Sequence, residues 1–189
     1  MMRGLEKFNN LVEAFESLPT VGKKSALRFA YHVVLNDTFS AMKLSNAIES
    51  AIKSIRKCER CGALSEHEIC EICLDDMRDS HKLCIVESAK DIFVLEDHRL
   101  YDGRYFVLEN LEQESLERLE SVIQEEVKEI IFALTPSLSN DALILFIEDK
   151  LKAYPLTFTK IAQGVPTGVH LENVDMLSLS KALESRTKV

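Results

Sequence analysis

Between positions 58 and 73 the chain carries Cys58-Glu59-Arg60-Cys61 and, after eight intervening residues, Cys70-Glu71-Ile72-Cys73. Two C-x-x-C turns at this spacing bring four thiolates into a tetrahedron, and zinc is the available metal that four sulfurs prefer. Residues 58–79 hold nine acidic or basic side chains and follow neither a helical nor a strand period. Such a stretch has too little apolar surface to fold without a staple, and a bound metal supplies one. A complete thiolate set leaves no open position for water, so the expected ion is one structural zinc per chain. An iron–sulfur cluster on the same ligands is the alternative; a redox pair fits a doubled motif less well. The fifth cysteine, Cys84, lies in an apolar run and reads as a small buried hydrophobe, while His67 and His81 are surplus to a filled site. An odd cysteine count with metal-ligand spacing argues for a reducing compartment.

The two flanks differ in period and charge. From Leu5 to Phe15, from about Gly22 to Asn36 and from Asp37 to the first cysteine, apolar residues recur at three and four, the signature of amphipathic helices. Pro19 ends the first helix, and Ala26, Leu27, Ala30, Val33 and Val34 are the expected buried side of the second. Beyond Asp79, apolar runs at 83–86, 105–108, 130–134 and 156–161 alternate with helical stretches at 89–98, 112–127 and 140–153. Alternation of this kind predicts right-handed crossovers and a mainly parallel sheet. The expected class is α+β multidomain: residues 1–57 helical, 58–79 the cysteine module, 80–164 an α/β domain, 165–189 a C-terminal segment with a terminal helix. The net charge of −8 conceals ten Lys and Arg against six Asp and Glu in residues 1–60. Any contact with phosphate therefore belongs to the N-terminal third. No run is long and apolar enough to span a membrane and the start lacks a secretory pattern, so the expected location is the cytoplasm.

Two further stretches could carry chemistry. Leu18-Pro19-Thr20-Val21-Gly22-Lys23-Lys24-Ser25-Ala26 lies between two helices, with a glycine at the start of the second. Backbone N–H groups at a helix start can donate to a phosphate oxygen, and Lys23, Lys24 and Arg28 add positive charge nearby. Gly22, Lys23, Lys24 and Arg28 are thus the candidate DNA contacts, of a kind that grips the backbone without reading sequence. The bland alternative is a helix turn with solvated lysines. The second stretch is Ile85-Val86-Glu87-Ser88, which puts a carboxylate at the C-terminal end of a strand, where open α/β sheets place their ligands. A phosphoryl-transfer metal site would need further acids from the neighbouring strand, yet Ile130 to Leu134 runs into Thr135-Pro136-Ser137.

A helix-hairpin-helix, a four-cysteine zinc finger and a Toprim-like α/β domain, in this order, resemble the bacterial recombination mediator family RecR. The resemblance also rests on Asp79 ahead of Cys84-Ile85-Val86-Glu87, on Ile161-Ala162-Gln163-Gly164-Val165-Pro166-Thr167-Gly168, and on the closing Leu179 to Arg186. It implies a non-enzymatic DNA-repair protein that forms a ring-like homotetramer. With RecO, and in many bacteria RecF, such a protein helps RecA displace single-strand-binding protein from single-stranded DNA. It further implies that Lys23 and Arg28 face DNA and that Glu87 belongs to a partner surface. Thr135-Pro136-Ser137-Leu138-Ser139-Asn140-Asp141 departs from the family pattern of N-P-T followed by two glutamates; Ser139 stands for the first acid and Asp141 for the second. Glu109 to Gln113 likewise replaces a longer stretch. Two other classes compete: a magnesium-dependent Toprim nuclease or primase using Glu87, and a zinc-stapled protein-interaction scaffold.

Overall fold

The computed structural model describes residues 4–184 except positions 100, 125, 163, 166 and 167. Parts of the expected C-terminal motif (Gln163, Pro166, Thr167) and of the chain end (Ser185, Arg186) lie outside the described residues. The contacts divide the chain into two compact units, Met1–Ile55 and Arg56–Val189.

The first unit is helical, with α1 (Glu6–Glu16), α2 (Lys23–Tyr31) and α3 (Thr38–Ser54). Between α2 and α3 the expected single helix to Asn36 widens into a five-residue π-helical turn, His32–Asn36, closed by the Asp37 N–H donating to the His32 carbonyl (3.0 Å). The Asp37 side chain then caps α3 by accepting from the Ser40 N–H (2.9 Å), which holds its carboxyl below the usual value. Phe15 meets Phe29 edge to face at 5.8 Å, joining α1 to α2. Of the expected buried side of α2, only Ala26 and Ala30 are buried; Leu27 and Val34 are exposed. With only three helices there is too little neighbouring structure to cover both sides, so the alanines take the contact and the larger residues face outward.

The second unit opens with a two-residue hairpin, β1 (Arg56–Lys57) antiparallel to β2 (Leu64–Ser65), and a one-turn helix, α4 (Glu71–Leu74). A four-stranded sheet follows: β3 (Asp79–Val86), β4 (Gly103–Val107), β5 (Glu129–Ala133) and β6 (Thr157–Lys160), in the order β4-β3-β5-β6. Every neighbouring pair is parallel. The connections are α5 (Ala89–Asp97), α6 (Gln113–Ile123) and α7 (Leu138–Lys150), and α8 (Met176–Glu184) comes last. The expected helix 112–127 is thus shorter, ending at Ile123.

Strand alternation gives the sheet two apolar faces. Leu83, Ile85, Phe106, Ile130 and Phe132 pack with Leu116, Leu119, Val122 and Ile123 of α6 and Ile147 of α7. The residues between them, Cys84, Val86, Tyr105 and Val107, pack with Ile92 of α5 and with Cys58, Cys61, Cys70 and Cys73. The cysteine module therefore shares one core with the sheet.

Candidate functional site

Cys58 and Cys61 sit in the turn that joins β1 to β2, while Cys70 is the N-cap of α4 and Cys73 lies within it. Cys58, Cys61, Cys70 and Cys73 are all buried, and their Sγ atoms lie within 4.8 Å of one another. A Zn–S bond of about 2.3 Å implies a tetrahedral edge of about 3.8 Å. Cys61 and Cys70 Sγ are 3.6 Å apart and Cys58 and Cys73 Sγ 4.0 Å, which brackets that edge. Backbone amides aim at the sulfurs, Ala63 N–H at Cys61 Sγ (3.5 Å) and Cys70 N–H at Cys58 Sγ (3.3 Å), which favours the thiolate form. The crowded sulfurs split their titration. Cys61 and its neighbours hold Cys58 well below the thiol range, whereas Cys73 is pushed far up by Cys58 and the other two. Only a cation at the centre lets all four sulfurs be thiolates this close together, and the donor set fits zinc.

Gly62 completes the first turn at φ +77, where a Cβ would press on Val107 Cβ at 3.3 Å. This close approach lets the Val107 N–H donate to the Cys61 carbonyl (2.8 Å), tying the knuckle to the end of β4. A second tie is Arg78, whose guanidinium pairs with Glu96 of α5 and donates to the Gly103 carbonyl (2.9 Å). Tyr105 Oη donates to the same carboxylate (2.7 Å). Arg78, Glu96 and Tyr105 were not among the sequence candidates, because residues 18 positions apart carry no local signal. Cys84 is buried as expected, and burial pushes its thiol up to about 12.

In the first unit, the turn before α2 is closed by the Val21 N–H donating to the Leu18 carbonyl (3.2 Å). Its left-handed residue is Thr20, at φ 68, while Gly22 sits at φ −82 as the N-cap of α2. A Cβ at Gly22 would meet nothing in the protein within 4 Å. No side chain caps α2, so the first N–H groups of the helix, at Lys23, Lys24 and Ser25, have no capping side chain to donate to. Lys23, Lys24 and Arg28 are all exposed, with the Arg28 guanidinium 5.7 Å from the Phe29 ring centre.

Glu87 follows β3, and Thr135 lies two residues beyond β5, at the point where the connections turn to opposite sides of β3. Its carboxylate accepts from the Thr135 N–H (2.9 Å), from Thr135 Oγ1 (3.0 Å) and from Asn140 Nδ2. Asn140 also donates to the Thr135 carbonyl (2.7 Å), and Ser137 and Ser139 share a hydroxyl contact of 2.9 Å. Asp141 turns elsewhere, its carboxylate 3.6 Å from Lys160 Nζ. Glu87 and Asp141 are thus neighbours of one helix start but members of different contacts. Where the shortened segment Glu109 to Gln113 leads into α6, Asn110 accepts from the Glu112 N–H (3.2 Å) and Ser115 Oγ (3.0 Å), while Glu109 pairs with Lys57.

Residues 8–52 match the family model for the RecR helix-hairpin-helix, and residues 55–75 the model for the RecR four-cysteine zinc finger domain. A recombination protein RecR of Campylobacter jejuni (strain 81-176) is 57% identical over 190 residues, covering all of both chains. The chain belongs to the RecR family. The recombination protein RecR of a Nitratiruptor species is equally similar at 57% over the full length, and that of Helicobacter pylori (strain Shi470) is 51% identical over 97% of this chain and 96% of its own. Within the family frame the α+β class holds, and the cysteine cluster is a zinc site whose ligands are Cys58, Cys61, Cys70 and Cys73. No helix among the described residues is long and apolar enough to cross a membrane.

Proposed function

We propose that this protein is a non-enzymatic, cytoplasmic mediator of recombinational DNA repair that grips the DNA backbone through the start of α2. The observation that carries the reading is the juxtaposition, inside the region matched by the RecR helix-hairpin-helix model, of uncapped helix N–H groups with exposed Lys23, Lys24 and Arg28. A phosphate oxygen at this helix start meets both donors and charge, and the open space beside Gly22 admits it. None of these contacts reads a base, so binding is independent of sequence. The zinc holds the fold of the second unit and takes no part in a reaction.

RecO, and RecF where present, are the proposed partners, with loading of RecA on DNA coated by single-strand-binding protein as the result. The surface around Glu87 and Asp141 is the proposed docking place. Against a Toprim nuclease or primase stands the surrounding of Glu87, whose neighbours are the neutral donors Thr135 and Asn140 rather than further carboxylates. The assembly is a homotetrameric ring.

The test is fluorescence anisotropy of labelled single-stranded DNA across a salt series, comparing wild type with Lys23→Ala/Arg28→Ala. The variant is expected to bind all sequences more weakly by a similar factor and to flatten the salt dependence by about two phosphate contacts. Equal affinity and slope in the two proteins would overturn the hairpin as the grip. Magnesium-dependent cleavage that is lost in Glu87→Gln would overturn the non-enzymatic reading.

A further inference from the structure

On the outer side of the cysteine module a groove runs between β2, the second C-x-x-C turn and α5. Leu64 and Phe93 are 46% and 59% exposed along it, and half-buried Ile72 also lines it. Glu66 and Glu71 form its rim; among the described residues neither is in an ion pair, and no Lys or Arg lines the groove. Its walls are firm. Cys70 and Ile92 at its base are buried in the shared core, and Glu96 at its end is fixed by Arg78 and Tyr105.

Apolar side chains left in water between unpaired carboxylates fit one kind of occupant. A nucleic acid is repelled by Glu66 and Glu71, and the same face of a second copy would set these glutamates against themselves. A segment whose large apolar residues are flanked by Lys or Arg satisfies both features: the apolar groups cover Leu64, Ile72 and Phe93 and the cations meet the rim. We propose that this groove docks such a basic, apolar-anchored segment of another protein. The inference does not depend on the α2 hairpin or on the surface at Glu87.

The experiment uses the full zinc-loaded chain and, as probe, a short fluorescein-labelled peptide built of Leu, Phe and Lys. Companion peptides carry Glu in place of Lys, or Ser in place of Leu and Phe. The Leu/Phe/Lys peptide alone is expected to bind. Its affinity should fall about tenfold, equivalent to about 1.4 kcal/mol, in Phe93→Ser and again in Glu66→Gln/Glu71→Gln. It should be unchanged in Glu114→Gln/Glu117→Gln, which removes two exposed acids from α6. Zinc content and far-ultraviolet circular dichroism check that each variant is folded. Absence of binding, equal binding in the groove variants, equal loss in the α6 variant, or equal binding of the Lys/Ser peptide would each overturn the proposal. So would weakened DNA binding by the groove variants, which would make the groove a nucleic-acid surface, or a lowered oligomeric state in them, which would make it a contact between copies.

Discussion

Thr20 is the residue whose conformation the sequence conceals. Pro19 and Gly22 both mark a turn, yet the residue with the left-handed backbone is neither of them but Thr20, at φ 68. Proline at the second position suits a turn whose third residue is right-handed as well as one whose third residue is left-handed, and the turn formed here takes the second kind, with Thr20 as the left-handed residue. A β-branched side chain there costs about 1–2 kcal/mol, against roughly 0.5–1 kcal/mol of extra chain entropy for glycine. Thr20→Gly should therefore raise the opening free energy of α1 and α2 amides by about 0.5–1 kcal/mol in native-state hydrogen exchange. Faster exchange in the variant would contradict this account. The cysteine cluster was legible because it is local, four thiols in 16 positions, and the clustering of Lys23, Lys24 and Arg28 on one helix is local in the same way. The surroundings of Glu87 were not: its partners Thr135 and Asn140 stand 48 and 53 positions away and become neighbours only through the β3–β5 pairing.

Among the elements, apolar runs located the strands of the large sheet and the helical period its helices, each to within a few residues, because the central strands bury both faces and the helices one. The helical period misjudged the second helical stretch, where Leu27 and Val34 stay exposed. Composition also suggested that residues 58–79 stand on the metal alone, yet their cysteines join Val86, Tyr105 and Val107 in one core. Metal loss should then reach the sheet. Chelation, or Cys61→Ser, is expected to raise hydrogen exchange at the Val107 amide, which donates to the Cys61 carbonyl, together with exchange in the knuckle. Amides of α1–α3, in the other compact unit, should stay protected. Fresh protein should carry about one zinc per chain, as four thiolates require. Exchange confined to residues 58–73 after chelation would show that the sheet holds without the knuckle.

For the whole molecule, charge and exposed apolar surface point the same way. A single hairpin offers three cations, enough to release only a few counterions, whereas roughly six to ten phosphate contacts give the 1,000- to 100,000-fold loss between 50 and 200 mM salt seen for firm binding. Several hairpins in one assembly reach that number, and avidity then replaces what one site lacks. Phe39, Met42, Ile48 and Ile52 of α3 are all exposed, and in the proposed assembly they are the contact surface to test. Ile48→Asp/Ile52→Asp should yield a smaller species in sedimentation and a shallower salt slope, with Lys23 and Arg28 intact. A monomeric variant binding as tightly as wild type would remove avidity from the account. The strand order β4-β3-β5-β6 bears finally on how the chain is made. The central strand β3 leaves the ribosome before either neighbour, and the sheet cannot close until Lys160 has been synthesised. The knuckle emerges ahead of all of them. Once charged with zinc it presents the finished half of a core, so the nascent β3 has a template on one face while its partners are still being translated.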